Sequence, residues 1–191
     1  MKLSTILKTT TAMLLLIIFV TACEPSRKQA DSEEVAKEIN NATFSSRDDE
    51  KDADFVVNTV AASYAEIKLA QLAIKRSNDS EVKKMASMLE ADHKKMLNEL
   101  QAYAGKKGIS LPGKETDEAQ KDINKLAEKD SKDFDEDWCD MLEDSHQKTI
   151  NKFESRIDKT EDAELKNWIS KTLPGLRNHH EMLKKHEDRV K

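Results

Sequence analysis

The chain has 191 residues, of which 37% are hydrophobic and 36% charged, with a formal charge of -5. A mildly acidic, evenly mixed charge leaves no electrostatic footprint for nucleic acid. Four glycines and three prolines argue for helices over sheet and leave no glycine-rich loop to cradle a phosphate.

Lys2 and Lys8 followed by the apolar run Leu14-Leu15-Leu16-Ile17-Ile18-Phe19-Val20 have the form of a secretory signal. The apolar stretch is about a dozen residues, too short for the roughly 30 Å hydrocarbon core of a bilayer. Its end, Val20-Thr21-Ala22-Cys23, resembles the bacterial lipobox. That resemblance predicts cleavage after residue 22, lipidation of Cys23 and a partner that is the membrane itself, reached through the anchor. Two or three acyl chains hold a protein stably where one does not. Glu24 replaces the aspartate that retains some lipoproteins at the inner membrane, so the expected location is the cell envelope, at the outer membrane facing the periplasm. With Cys23 lipidated, Cys139 stands alone and no intramolecular disulfide is expected. A lone thiol in an oxidising compartment suits a buried, small apolar role.

Residues 23–50 are polar, with Val35, Ile39 and Phe44 as their larger apolar side chains. Such a segment buries little surface, and a flexible tether is expected. Residues 51–191 then form the folded domain. Long helices are predicted from Asp52 to Arg76, Ser80 to Lys106, Lys132 to Asp158 and Asp162 to Arg189, with Thr160 as N-cap of the last. A shorter helix from Thr116 to Lys129 lies in the connection between the second and third. Each long helix carries an apolar stripe at 3.6-residue spacing; in the third it is Phe134, Trp138, Leu142, Ile150, Phe153 and Ile157. Four such helices of about 25 residues, roughly 38 Å long, pack as an all-α four-helix bundle. The connection after the second helix is about 25 residues, whereas a helical hairpin needs about 2 to 8. Two routes are open to it: a crossover along the bundle's length, as in ferritin-like folds, or a helix capping one end.

The stripes are interrupted. Glu66 falls among Phe55, Ala62, Leu69, Ala70 and Ala73; His93 among Ala86, Leu89, Leu97 and Leu100; His146 among Cys139, Leu142, Ile150 and Phe153; His179 beside Leu176 and Leu183. Stripping water from such groups costs several kcal/mol unless they find partners. Counted from the turns, Glu66 and His93 lie at heights that agree to about 5 Å, with His146 near the same level and His179 least well matched. Glu90 and His93, like Glu143 and His146, stand in Glu-x-x-His pairs, the spacing of bundle di-metal sites. Glu90 and Glu143 sit at stripe edges and are the weaker candidates. Pro174 should kink the last helix about one turn before His179. His186, near the carboxyl end, is expected in solvent.

Ala53-Asp54-Phe55, Glu66 before Leu69-Ala70-Gln71-Leu72-Ala73, Asp92-His93, Lys107-Gly108-Ile109-Ser110-Leu111-Pro112, Phe134-Asp135, His146 and Thr172-Leu173-Pro174 ahead of His179 resemble the bacterial domain-of-unknown-function family 4142. The resemblance implies a ferritin-like fold in an envelope protein and supplies no activity. The chain departs from the family at Trp138 and Cys139, where Tyr and Met are usual, and at Ser145, where Asp is frequent. Two functions are therefore carried forward. One is a non-catalytic structural, stress-related or interaction role, with the polar core residues as a hydrogen-bonded cluster that binds nothing. The other is a ferritin-like protein binding iron, manganese or zinc, a divalent metal ion held by Glu66, His93, His146 and His179. The sequence has no Gly-x-Ser-x-Gly elbow and no Cys/His dyad at plausible positions.

Overall fold

A computed structural model describes residues 30–190. Cys23 and the signal segment lie outside the described residues. Six helices follow in order: α1 (Ser32–Thr43), α2 (Arg47–Arg76), α3 (Ser80–Lys107), α4 (Asp117–Glu128), α5 (Ser131–Ile157) and α6 (Ala163–Val190). No helix of the described residues is long and apolar enough to cross a membrane.

Local chemistry sets the boundaries. The Asp79 side chain accepts from the backbone N–H groups of Glu81 and Val82 and starts α3, and Ser46 and Thr116 do the same for α2 and α4. Gly108, at φ 71°, ends α3 in the left-handed conformation, and the Ile109 amide reaches back to the Ala104 carbonyl at 3.0 Å. At α6 the expected cap is displaced. Asp162 Oδ1 accepts from the Leu165 amide at 2.8 Å, while Thr160 turns its hydroxyl to Asp52 at 2.9 Å.

The four long helices form the bundle, with α1 and α4 laid against it. The three-residue turn between α2 and α3 makes them antiparallel. Asp52 pairs with Arg156 and the Leu69 carbonyl accepts from Trp138 Nε1 at 2.9 Å, so α5 also runs against α2. Hence α3 and α5 are parallel, and the chain between them must travel the length of the bundle. It does so through α4, which packs on both α2 and α5. At one end Ser110 binds Asn40; at the other, Arg76 donates to the carbonyls of Ala127 and Lys129. Of the two routes left open by loop length, the crossover is the one taken.

The tether reading needs correction. Residues 32–43 are helical, and α1 buries Ala36 and Asn40. Asn40 donates Nδ2 to the Ser110 carbonyl at 2.9 Å and accepts from the Ser110 amide at 2.7 Å. A buried amide with both ends satisfied docks α1 where the hydrophobic pattern is too thin to signal it.

The core is split. One apolar layer gathers Phe55, Val60, Leu100, Phe153, Leu165 and Ile169 toward one end. The other gathers Leu69, Leu89, Phe134, Trp138, Leu142 and Leu183 toward the opposite end. Cys139 lies in the second layer at 1% exposure, as its small apolar character predicts. Between the two layers the bundle is polar.

Candidate metal centre

Each long helix sends one side chain into that gap: Glu66 from α2, His93 from α3, His146 from α5 and His179 from α6. They are 3%, 2%, 0% and 2% exposed, so water is excluded from all four. His93 Nε2 is 2.7 Å from Glu66 Oε2, and His146 Nε2 is 3.4 Å from the same oxygen. His146 Nε2 also lies 3.4 Å from His93 Nε2 and 3.3 Å from His179 Nδ1. The three imidazoles offer one nitrogen each within 4.8 Å of one another.

The outer edges of the rings fix their tautomers. His146 Nδ1 faces the Leu142 carbonyl at 2.8 Å, an acceptor that requires the proton on Nδ1. His179 Nε2 faces Asp92 Oδ2 at 2.9 Å, which requires the proton on Nε2. The inward nitrogens, His146 Nε2 and His179 Nδ1, are therefore two lone pairs facing each other at 3.3 Å. Glu66 Oε1 accepts from Ser145 Oγ at 2.7 Å. Glu66 Oε2 is buried, and its polar neighbours are His93 Nε2 at 2.7 Å and His146 Nε2 at 3.4 Å.

Charge points the same way. Burial pushes the Glu66 pKa up, but the neighbouring His146 and His93 and the Ser145 hydroxyl outweigh it and hold the carboxyl below its usual range. Burial pushes His146 and His179 down, against the pull of Glu66 on the first and of Asp92 on the second. A carboxylate is thus held ionised in a dry core beside rings of which His146 and His179 resist protonation, and buried charge of this kind is costly without a partner.

A divalent metal fits this donor set. Ligands about 2.0–2.1 Å from a central zinc at tetrahedral angles stand about 3.3–3.4 Å apart. The His93–His146, His146–His179 and Glu66–His146 separations, 3.4, 3.3 and 3.4 Å, have that length. Glu66 to His93, at 2.7 Å, is shorter, and the group whose ligand atoms all lie within 4.8 Å of one another is the three histidines without Glu66. Asp92 and the Leu142 carbonyl hold the outer ring nitrogens as second-shell partners hold metal-binding histidines.

The other candidates are placed elsewhere. Glu90 accepts from Gln71 and Lys94 at the surface of the α2–α3 pair. Glu143 lies 3.4 Å from His180, between α5 and α6. His186, expected in solvent, is 3% exposed and sits near Asp79 and Glu81. Sequence reasoning read Ser145 as the loss of a carboxylate and missed its use. Its place one residue before His146, turned toward α2, lets it orient Glu66.

A family model described as a domain of unknown function (DUF4142) matches residues 36–185, and the chain belongs to that family. The match begins within α1 and includes all four residues of the centre. No curated protein matches the chain. No solved structure matches it either.

Proposed function

We propose that this member of the DUF4142 family binds one divalent metal ion at Glu66, His93, His146 and His179, and that the ion joins the two halves of the bundle without catalysing a reaction. The observation that carries this reading is three buried imidazole nitrogens within 4.8 Å of one another, with the buried Glu66 carboxylate beside two of the rings. Glu66 and His93 belong to the α2–α3 hairpin, His146 and His179 to the α5–α6 hairpin. The two hairpins are packed much more tightly within themselves than against each other. A cation held two and two would cross-link them at the gap between the apolar layers.

With Glu66 drawn in beside the three imidazoles, four protein ligands would fill a tetrahedral shell and leave no open position for water or substrate, the mark of a structural site. A single core carboxylate favours one metal over the two of di-iron bundles, which draw on a glutamate from each helix. Imidazole-rich sets suit zinc and iron more than magnesium or calcium. We further propose that the protein works in the cell envelope, anchored through lipid on Cys23 and facing the periplasm from the outer membrane. Its ion would then come from the envelope's own metal supply.

The test is direct. Purify the full-length protein, strip it with a chelator, add zinc, iron or manganese in turn, and follow metal content and melting temperature. The expected outcome is one equivalent bound and a higher melting temperature, both abolished by His93→Ala and by Glu66→Gln. A protein that retains no metal, and whose melting temperature no metal raises, would leave a metal-free hydrogen-bonded cluster as the correct reading.

A further inference from the structure

Resting on that centre, we infer that its cation enters and leaves through the groove between α3 and α6, with Asp92 as the residue that first takes it and Pro174-Gly175 as the hinge that admits it. Two grooves reach residues of the buried centre. A groove of about 380 Å³ reaches Glu66 and Ser145 from the α2–α5 side, but Ala119, Asp122 and Ile123 of α4 and Glu33 of α1 line it, so the crossover and α1 stand over it. The other, about 440 Å³, reaches Asp92 and His179 between α3 and α6. Among neighbouring long helices, α3 and α6 meet least closely.

Asp92 suits the mouth of this route. Its side chain is 52% exposed while its Oδ2 touches the fully enclosed His179 ring at 2.9 Å. One carboxylate thus spans solvent and centre. It can hold an arriving cation with one oxygen, release it inward as His179 and then the other ligands take over, and return to the His179 Nε2 hydrogen.

The helix beside it is weakened at the right height. Pro174 lies inside α6, removing one backbone donor about a turn before His179. Gly175, beside it and lining the same groove, is a poor helix residue. A Cβ at Gly175 would meet nothing within 4 Å, so packing does not demand glycine there. Thr172 adds to this by donating its hydroxyl back to the Trp168 carbonyl at 2.9 Å, a bond that bends helices. Three helix-weakening residues within four positions, two of them on the wall of the groove that ends at a ligand, make α6 the element that opens.

The experiment is stopped-flow loading of cobalt(II), whose tetrahedral complexes absorb in the visible, into the chelator-stripped full-length protein in detergent. Wild type, Pro174→Ala, Gly175→Ala, Asp92→Asn and Ala62→Leu are compared, the last narrowing the α2–α5 groove. Wild type, Pro174→Ala, Gly175→Ala and Ala62→Leu should reach the same one-equivalent spectrum, which shows the centre intact; Asp92→Asn, which also loosens His179, is read by its loading rate at saturating cobalt. Stiffening α6 should slow loading by about tenfold or more for Pro174→Ala and by less for Gly175→Ala, in line with helix propensity. Asp92→Asn should also slow it, whereas Ala62→Leu should match wild type. Hinge variants that load as fast as wild type, or an Ala62→Leu protein that loads slowly, would overturn the entrance while leaving the centre standing. Should Pro174→Ala fail to fold, Gly175→Ala alone carries the comparison. A wild-type protein that develops no cobalt spectrum overturns the centre and its entrance together.

Discussion

Near the end of the bundle where α6 begins, Asp52 is buried with both carboxylate oxygens engaged, one by Arg156 Nε at 2.6 Å and the other by the Thr160 hydroxyl at 2.9 Å. Fourteen residues along the same helix, about 21 Å away, Glu66 is buried as deeply, with Oε1 bonded to Ser145 and Oε2 beside the rings of His93 and His146. Both carboxylates come from α2 and both face α5, yet only Asp52 meets a permanent cation. Burial still raises the Asp52 pKa despite Thr160 and Arg156, whereas the imidazoles around Glu66 lower its own. A carboxylate that serves architecture alone is given an arginine. Glu66 Oε2 instead meets imidazoles, His93 at 2.7 Å and His146 at 3.4 Å, and, among the described residues, no arginine or lysine.

That contrast can be broken in several ways. Asp52→Ala should be the most damaging change, because it strands Arg156 in the interior; removing one partner of a buried ion pair costs about 3–5 kcal/mol. Denaturant unfolding should show this loss equally with and without metal. At the centre the result depends on the ion. Wild type should gain about 2.7 kcal/mol when free zinc stands at about one hundred times its dissociation constant, and His146→Ala should show none of that gain by the same unfolding assay. Ser145→Ala sharpens the comparison, since it removes only the hydrogen bond that aims Glu66. Second-shell losses of this kind weaken metal binding by about 10–100-fold, measurable by competition with a chelating dye.

Acidity separates the regions further. The folded pKa values of His146 and His179 lie below the ordinary 6.5, and that of Glu66 below 4.5. The unfolded chain therefore binds protons that the native one refuses, and stability rises with pH across those windows. Metal-free protein should lose stability as pH falls through 6.5, through the histidines, and again below 4.5, through Glu66, in a pH series of melting curves. Asp52 acts in the opposite sense, because its raised pKa means that protonation relieves a cost of burial. The smallest effects belong to Glu90→Gln and Glu143→Gln. Glu90 engages surface partners and Glu143 lies beside the half-buried His180, away from the centre; such substitutions stay within about 0.5 kcal/mol, with unchanged metal stoichiometry.

The long helices were legible because their stripes are long and regular; α3, α4, α5 and α6 begin and end within a residue or so of the boundaries that caps and periodicity predict. The centre was legible for the complementary reason. Glu66, His93, His146 and His179 are the polar residues that break those stripes, and equal heights bring them together. The Glu-x-x-His spacing pointed to Glu90 and Glu143 as companions, but three residues are 300° of helix, which leaves each glutamate about 60° off the histidine's face. Lys94 and Gln71 hold the first at the surface, and His180 lies beside the second. What stayed hidden was polar docking. Asn40 anchors α1 through a backbone amide and carbonyl, and hydrophobic periodicity carries no trace of that. His186 was hidden likewise, since its burial depends on where the α3 N-terminus falls beside α6.

The central claim is tested most directly by X-ray absorption spectroscopy of the zinc-loaded full-length protein. The account predicts one zinc per chain with four nitrogen or oxygen neighbours at about 2.0–2.1 Å and the outer-shell scattering of three imidazoles. Substoichiometric zinc, or a five- or six-coordinate shell with fewer than three imidazoles, would contradict it.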